Sequence, residues 1–162
     1  MNININIVKA DYSNKIHEVE IAMLLDGYAS DPMGGGTPLP PYVKANLVKE
    51  LSKLPHAFSI IAYVDNQAAG LVNCFETFST FACKPLINIH DLAVLSEYRG
   101  LGISQKMLAK VEEIAKVKNC CKITLEVLAN NDIAKSSYRK FGFSGYELDP
   151  KAGAAVFWQK PL

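Results

Sequence analysis

The stretch from Leu86 to Lys118 constrains the fold more than any other part of the chain. LINIHDLAV, Leu86 to Val94, is rich in branched apolar residues and reads as a strand. SEYRGLGIS, Ser96 to Ser104, then places two glycines, Gly100 and Gly102, directly behind Arg99. From Ser104 to Lys118 the residues Met107, Leu108, Val111, Ile114 and Ala115 return to one face with helical period, while Glu112 and Lys116 form an i,i+4 pair on another. Strand, glycine turn and amphipathic helix in immediate succession bring a helix N-terminus to the end of a strand. The first helical turn carries N–H groups without intrahelical partners, at the positive end of the dipole. Glycines in front of it let the backbone curl around an anion, and Arg99 can add a charge. Pyrophosphate is the natural guest. A dinucleotide fingerprint would need a third glycine three residues after Gly102, and Gln105 stands there.

The rest of the chain supplies a sheet around that unit. Ile3, Ile5 and Ile7 alternate with asparagines in a first strand. Asp11 or Ser13 can cap a helix with Ile16, Val19 and Met23 on its apolar face, ending near Gly27. SDPMGGGTPLPPY, Ser30 to Tyr42, holds four of the eight prolines and three consecutive glycines, so it is a loop. No Gly-Lys-Ser/Thr follows, so it is not a P-loop. Val43, Leu47, Leu51 and Leu54 predict a second helix. AFSIIAYV and GLVNCFETF, around DNQAA, predict a β-hairpin over Ala57–Phe78. CKITLEVL, Cys121 to Leu128, predicts a strand. NDIAKSSYRKF predicts a short helix opened by Asn131 or Asp132 and stopped at Gly142. Two closing strands are expected over Phe143 to Tyr146, or a little beyond, and Ala155 to Lys160. The order β-α-α-β-β-β-α-β-α-β-β predicts an α/β (α+β) fold: a mixed sheet of about seven strands with helices on both faces. The 162 residues, without repeats, suit a single domain over 1–162.

Composition excludes several roles. A net charge of +1 gives no electrostatic footprint for nucleic acid. No apolar run reaches the length of a membrane span, and the alternating N-terminus does not resemble a signal peptide, so a cytoplasmic protein is expected. Cys74, Cys83, Cys120 and Cys121 lack zinc-site spacing and read as buried free thiols in a reducing compartment, and no metal is expected.

Two segments carry a resemblance. LAVLSEYRGLGISQKMLAKVEEIAK, with LEVLANNDIAKSSYRKFGF behind it, resembles the GNAT superfamily of acyl-CoA-dependent N-acetyltransferases. Against its Q/R-x-x-G-x-G/A signature the chain offers Glu97, Gly100 and Gly102, with Glu97 departing from the usual Gln or Arg. The second signature is met at Asn131, Ala134, Tyr138, Gly142 and Phe143. The resemblance implies acetyl-CoA as cosubstrate on a splayed sheet. The main chain of Leu92, Ala93 and Val94 would pair with the pantetheine arm. Backbone N–H groups of Arg99, Gly100, Leu101, Gly102, Ile103 and Ser104 would hold the pyrophosphate. Asn131 and Tyr138 would lie near the thioester. No metal, nucleic acid or membrane partner is implied; dimers are common among similar proteins, which leaves a homodimer open.

Acetyl transfer to an amine needs a base for the amine's proton and an acid for the leaving thiolate. Tyr138 resembles the family's acid, against the plainer reading of a packing tyrosine. Glu126 lies twelve residues before Tyr138, where ribosomal-protein alanine acetyltransferases carry their base. The competing reading is an ordinary strand carboxylate paired with a lysine. His90 is the alternative base, placed by strand alternation on the face of Leu92 and Val94, opposite Asp91. Asn88 stands where histone-type members carry a glutamate, Glu76 is an outside candidate, and His17 and His56 read as helix-surface and loop residues. The expected function is N-acetylation of a primary amine on a small molecule or peptide terminus. A catalytically silent CoA-binding sensor or partner-binding module is the alternative.

Overall fold

The computed structural model describes residues 3–147, 149–151 and 153–162. The chain divides into two compact units, Met1–Leu125 and Glu126–Leu162. In the first, β1 (Ile5–Lys9), α1 (Lys15–Ser30), α2 (Pro41–Leu51), β2 (Ala57–Val64), β3 (Gln67–Ser79), β4 (Lys84–Val94), α3 (Ile103–Val117) and β5 (Ile123–Leu125) follow in order. The strands form one five-stranded sheet in sequence order. The pairs from β1 to β4 are antiparallel and β5 joins β4 in parallel, so the sheet is mixed, as expected.

Both faces of the sheet are covered. Ile21 and Leu24 of α1 and Val48 of α2 pack on Ile61 and Leu71 in one apolar cluster. On the opposite face Gly70, next to Leu71, leaves room for Met107 of α3; a Cβ there would lie 3.1 Å from Met107 Cε. Ile103, Met107, Leu108, Val111 and Ala115 are the buried stripe of α3, close to the periodicity read from the sequence.

Helix α1 presents a different face from the one expected. Ile16, Val19 and Met23 are exposed, while Ile21 and Leu24 are buried. Ile21, Leu24, Leu25 and Tyr28 form a longer stripe at i, i+3, i+4 and i+7, and that stripe meets the sheet. Asn14, not Asp11 or Ser13, is the N-cap, accepting from Ile16 N at 2.9 Å. Asp11 instead closes the preceding turn by accepting from Ser13 N at 2.8 Å. Gly27 does not end the helix. A Cβ there would lie 3.0 Å from Leu95 Cδ2, so the residue permits close approach of α1 to the end of β4.

Among the described residues the sheet has five strands rather than about seven, and β5 spans Ile123–Leu125 rather than Cys121–Leu128. A strand is made by its partner. Beyond Leu125 the chain leaves β4, and no ladder forms over 143–146 or 155–160. The second unit carries α4 (Asp132–Phe141) and one isolated antiparallel bridge, Glu147 to Ala154. Val156, Phe157 and Trp158 are exposed, so the apolar run there buries nothing that would favour pairing. Leu148, just beyond Tyr146, lies outside the described residues. No helix among the described residues is long and apolar enough to cross a membrane.

Candidate active site

The short β5 defines the site. It pairs with β4 only at Ile87, Asn88 and Ile89. From Asp91 to Val94, β4 pairs with β3 on one edge, and no strand among the described residues pairs with its other edge. An open strand edge offers main-chain donors and acceptors to an extended ligand. Leu92, Ala93 and Val94 lie on that edge. The chain then makes a 3-10 turn over Ser96–Tyr98 and enters α3 through two left-handed glycines, Gly100 at φ 82° and Gly102 at φ 75°. Gly102 is the N-cap and supplies no side-chain bond to the helix. The strand edge and the helix N-terminus thus follow each other within one segment, an arrangement that fits an extended amide-bearing arm ending in phosphates.

Arg99 is engaged locally. Its Nε donates to Val94 O at 3.0 Å and its Nη2 to Asp31 Oδ2 at 2.8 Å. Its backbone N–H donates to Ser96 O at 3.3 Å. The Arg99 guanidinium, followed by the Met33 N–H, holds the Asp31 carboxyl below its ordinary range. Asp31 begins the glycine-proline segment between α1 and α2, so this ion pair fastens that segment to the end of β4. Its far end is tied back to α1, where Asp26 accepts from Leu39 N at 2.8 Å and from Lys44 Nζ at 3.1 Å. Glu97, in the 3-10 turn, accepts from Ser96 Oγ at 3.1 Å.

A bulge changes which way β4 points. Asn73 is paired with Asp91 and Cys74 with Ile89, so His90 is an extra residue without a partner across the ladder. Strand alternation had put His90 and Asp91 on opposite faces; the extra residue puts them on the same one. Asp91 stands in register with Asn73, and Asn73 with Ser59, on the face covered by α1. The His90 ring meets Phe75 edge-on at 5.6 Å, and Phe75 lies two residues beyond Asn73 on that face. The His56 ring also meets Phe75, tilted, at 6.1 Å. Leu92 and Val94 point the other way, so His90 does not share their face.

Ser59, Asn73 and Asp91 are joined by hydrogen bonds, and Tyr12 extends the line. Ser59 Oγ donates to Asn73 Oδ1 at 2.6 Å, Asn73 Nδ2 donates to Asp91 Oδ2 at 3.0 Å, and Tyr12 Oη lies 2.9 Å from Ser59 Oγ. Burial, then the carboxylates of Asp91 and Asp31, raises the Tyr28 phenol on the overlying helix. The line that joins them was not legible in the sequence. The available signal was an Asn within the apolar run GLVNCF, in register with a Ser and an Asp of neighbouring strands.

The remaining expected residues are placed as follows. Asn88 donates to Thr124 Oγ1 at 3.1 Å and Glu76 pairs with Lys118 at 2.6 Å. His17 Nδ1 accepts from Asp11 N at 2.9 Å. All four cysteines are free, but only Cys74 is buried, its thiol pushed up by burial and by Asp91; Cys83 and Cys121 are exposed. In the second unit Glu126 is exposed and follows β5 rather than standing in a strand. Asn131 caps α4 by accepting from Ala134 N at 3.1 Å. Half-buried Tyr138 meets Phe143 edge-on at 5.9 Å. Among the described residues no group of three or more His, Cys, Asp or Glu could hold a metal ion.

Comparison with known proteins agrees with this geometry. A putative ribosomal protein bS18-alanine N-acetyltransferase of Bacillus subtilis is 25% identical over 124 residues, covering 73% of this chain and 78% of the relative. A thialysine N-epsilon-acetyltransferase of Bos taurus is 41% identical over 56 residues, or 35% of this chain; the match spans only 33% of that relative's length. The fold matches a crystal structure of an aminoglycoside N-acetyltransferase in complex with CoA, with a TM-score of 0.76 at 20% identity over 99% of this chain and 97% of the other. The model of the acetyltransferase (GNAT) family matches residues 22–143. The chain belongs to that family, and it is an acetyl-CoA-dependent N-acetyltransferase.

Proposed function

We propose that this chain transfers the acetyl group directly to a primary amine of a small molecule or a peptide terminus, with residues 1–162 acting as one catalytic domain. The observation that carries the reading is the open edge of β4, which runs straight from the bulge at His90 and Asp91 into the glycine turn. Relatives named for alanine N- and thialysine Nε-acetylation support an amine acceptor. Four free cysteines support a reducing, cytoplasmic setting.

In this reading the bound thioester supplies the activated acetyl group. The main chain of Leu92, Ala93 and Val94 holds the arm, and the N–H groups from Gly100 to Ser104 hold the pyrophosphate, the Arg99 N–H being committed to Ser96 O. The amine must lose a proton as it attacks, and Glu126 or His90 accepts it. The thiolate must gain one as it leaves, and the Tyr138 hydroxyl donates it, with Asn131 fixing the start of its helix. Thiol release from acetyl-CoA across a broad amine panel tests the reaction. Binding of acetyl-CoA without release from any amine would make the chain a binding module instead. Tyr138→Phe keeps the ring but removes the proton, so kcat should fall roughly 100-fold with little change in KM for acetyl-CoA. Glu126→Gln with an unaltered pH–rate profile removes Glu126 as the base, leaving His90 or no protein base at all.

A further inference from the structure

The line of hydrogen bonds across the sheet has a fixed direction. Asp91 Oδ2 accepts from Asn73 Nδ2, so the Asn73 amide cannot be turned the other way. Its Oδ1 therefore accepts the single proton of Ser59 Oγ. With that proton committed, Ser59 can only accept from Tyr12, whose phenol burial keeps protonated. Every donor from Tyr12 onward is aimed toward Asp91. Ser59 and Asn73 are 0% and 4% exposed, so the bonds form where water does not compete and each polarises the next. Such a line ends naturally on an anion.

The second carboxylate oxygen is differently placed. Asp91 Oδ1 has no hydrogen-bond partner among the described residues, and no buried side-chain oxygen or nitrogen among them lacks one, so Oδ1 is open to solvent. Asp91 directly precedes Leu92, where the open edge of β4 begins its run toward the glycine turn. The carboxylate is locked by one oxygen and presents the other. The rings of His90, Phe75 and His56 lie on the same face and offer apolar surface to a carbon chain.

We propose that Asp91 seats the ammonium group of the acceptor, held in position by Asn73, Ser59 and Tyr12, so that the acceptor is an aliphatic amine charged at neutral pH. This rests on the amine-acceptor reading above. Asp91 touches the substrate; Asn73 is a positioning residue acting through it. A weakly basic arylamine, neutral at pH 7, gains nothing from this carboxylate.

Calorimetric titration into the full chain saturated with CoA reads binding without requiring turnover. The probes are n-butylamine, 1,4-diaminobutane, an alanyl tripeptide amide and aniline. At least one charged amine should bind more tightly than aniline. Asp91→Asn should weaken that amine roughly 10- to 100-fold, the range for a lost charge-assisted bond, and leave CoA affinity unchanged. Asn73→Leu should weaken it about fivefold, again without effect on CoA. If Asn73→Leu does not fold, Tyr12→Phe tests the line from its outer end, with a smaller loss in the same direction. Charged amines that bind no better than aniline, or that bind Asp91→Asn as tightly as the wild type, overturn the proposal. Binding that depends on Asp91 without thiol release leaves the seat standing and refutes the transfer reaction. Thiol release with an acceptor KM indifferent to Asp91→Asn does the reverse.

Discussion

Gly102→Ala separates the cost of a backbone conformation from the loss of a ligand contact. Gly102 has φ 75°, and a Cβ built on it meets nothing within 4 Å. The added methyl therefore collides with no protein atom, and the penalty is that of an L-residue in the left-handed region, about 1–2 kcal/mol. For a domain of this size each 1 kcal/mol lowers Tm by about 2–4 °C, so the variant should melt roughly 2–8 °C below the parent. The same methyl enters the space in front of the α3 N-terminus. If the pyrophosphate approaches there, CoA affinity should fall at least about tenfold. At a ligand concentration of about 100 Kd the parent gains about 2.7 kcal/mol, and a tenfold weaker variant gains about half of that. Differential scanning fluorimetry, with and without CoA, reads both quantities. A variant that melts lower but keeps the full ligand-induced increment would remove the anion seat from this turn. A fall in Tm far beyond that range would show that the Cβ is not in open space.

Other outcomes follow from the ties around the site. The Asp31–Arg99 pair holds Asp31 below its ordinary pKa, so its contribution is complete above about pH 4 and is lost as pH falls through the depressed folded value. Hydrogen-exchange protection over residues 31–40, referred to the intrinsic rate at each pH, should therefore fall in acid, and Asp31→Asn should give the lowered protection already at pH 7. Unchanged protection in that variant would mean the pair does not fasten the segment. If the segment that Asp31 fastens to Arg99 lines the acceptor site, removing two residues from MGGG should raise the acceptor KM and spare acetyl-CoA affinity; loss of cofactor affinity instead would refute that placement. Leu24→Ala should cost about 2–5 kcal/mol in chemical denaturation, whereas Val19→Ala should stay within about 0.5 kcal/mol. The reverse order would restore the face of α1 read from the sequence.

The strand, glycine turn and helix from Leu86 to Lys118 were legible because their determinants are local. β-rich composition, two glycines that take positive φ, and a five-residue apolar stripe each act within a few positions. The hairpin was legible for the same reason, since DNQAA joins strands that are neighbours in sequence. The face of α1 was not. Ile16, Val19 and Met23 satisfy helical spacing as well as Ile21 and Leu24 do, and only contact with Ile61 and Leu71, far along the chain, decides between them. The length of β5 depends likewise on how long β4 stays beside it. The polar line was hidden because Ser59, Asn73 and Asp91 lie on three strands and meet only through sheet register, while Tyr12 reaches them from the turn before α1. Arg99 was recognised as a cation near the turn, but its partner Asp31 lies 68 residues away and leaves no local trace.

His90 adds length to β4 without adding a rung to the ladder. Residues on either side of it keep their partners: Ile89 with Cys74, and Asp91 with Asn73. If position 90 were taken out, Ile87 and Ile89 below and Leu92 and Val94 above would still face α3, because the residue removed belongs to neither rung. The sheet thus separates two kinds of inheritance. Changes at Leu86, Ile87 or Ile89 must answer to the core in which they are buried, whereas exposed His90 does not. A family of acetyltransferases built on this sheet can revise such a residue while leaving its packing untouched.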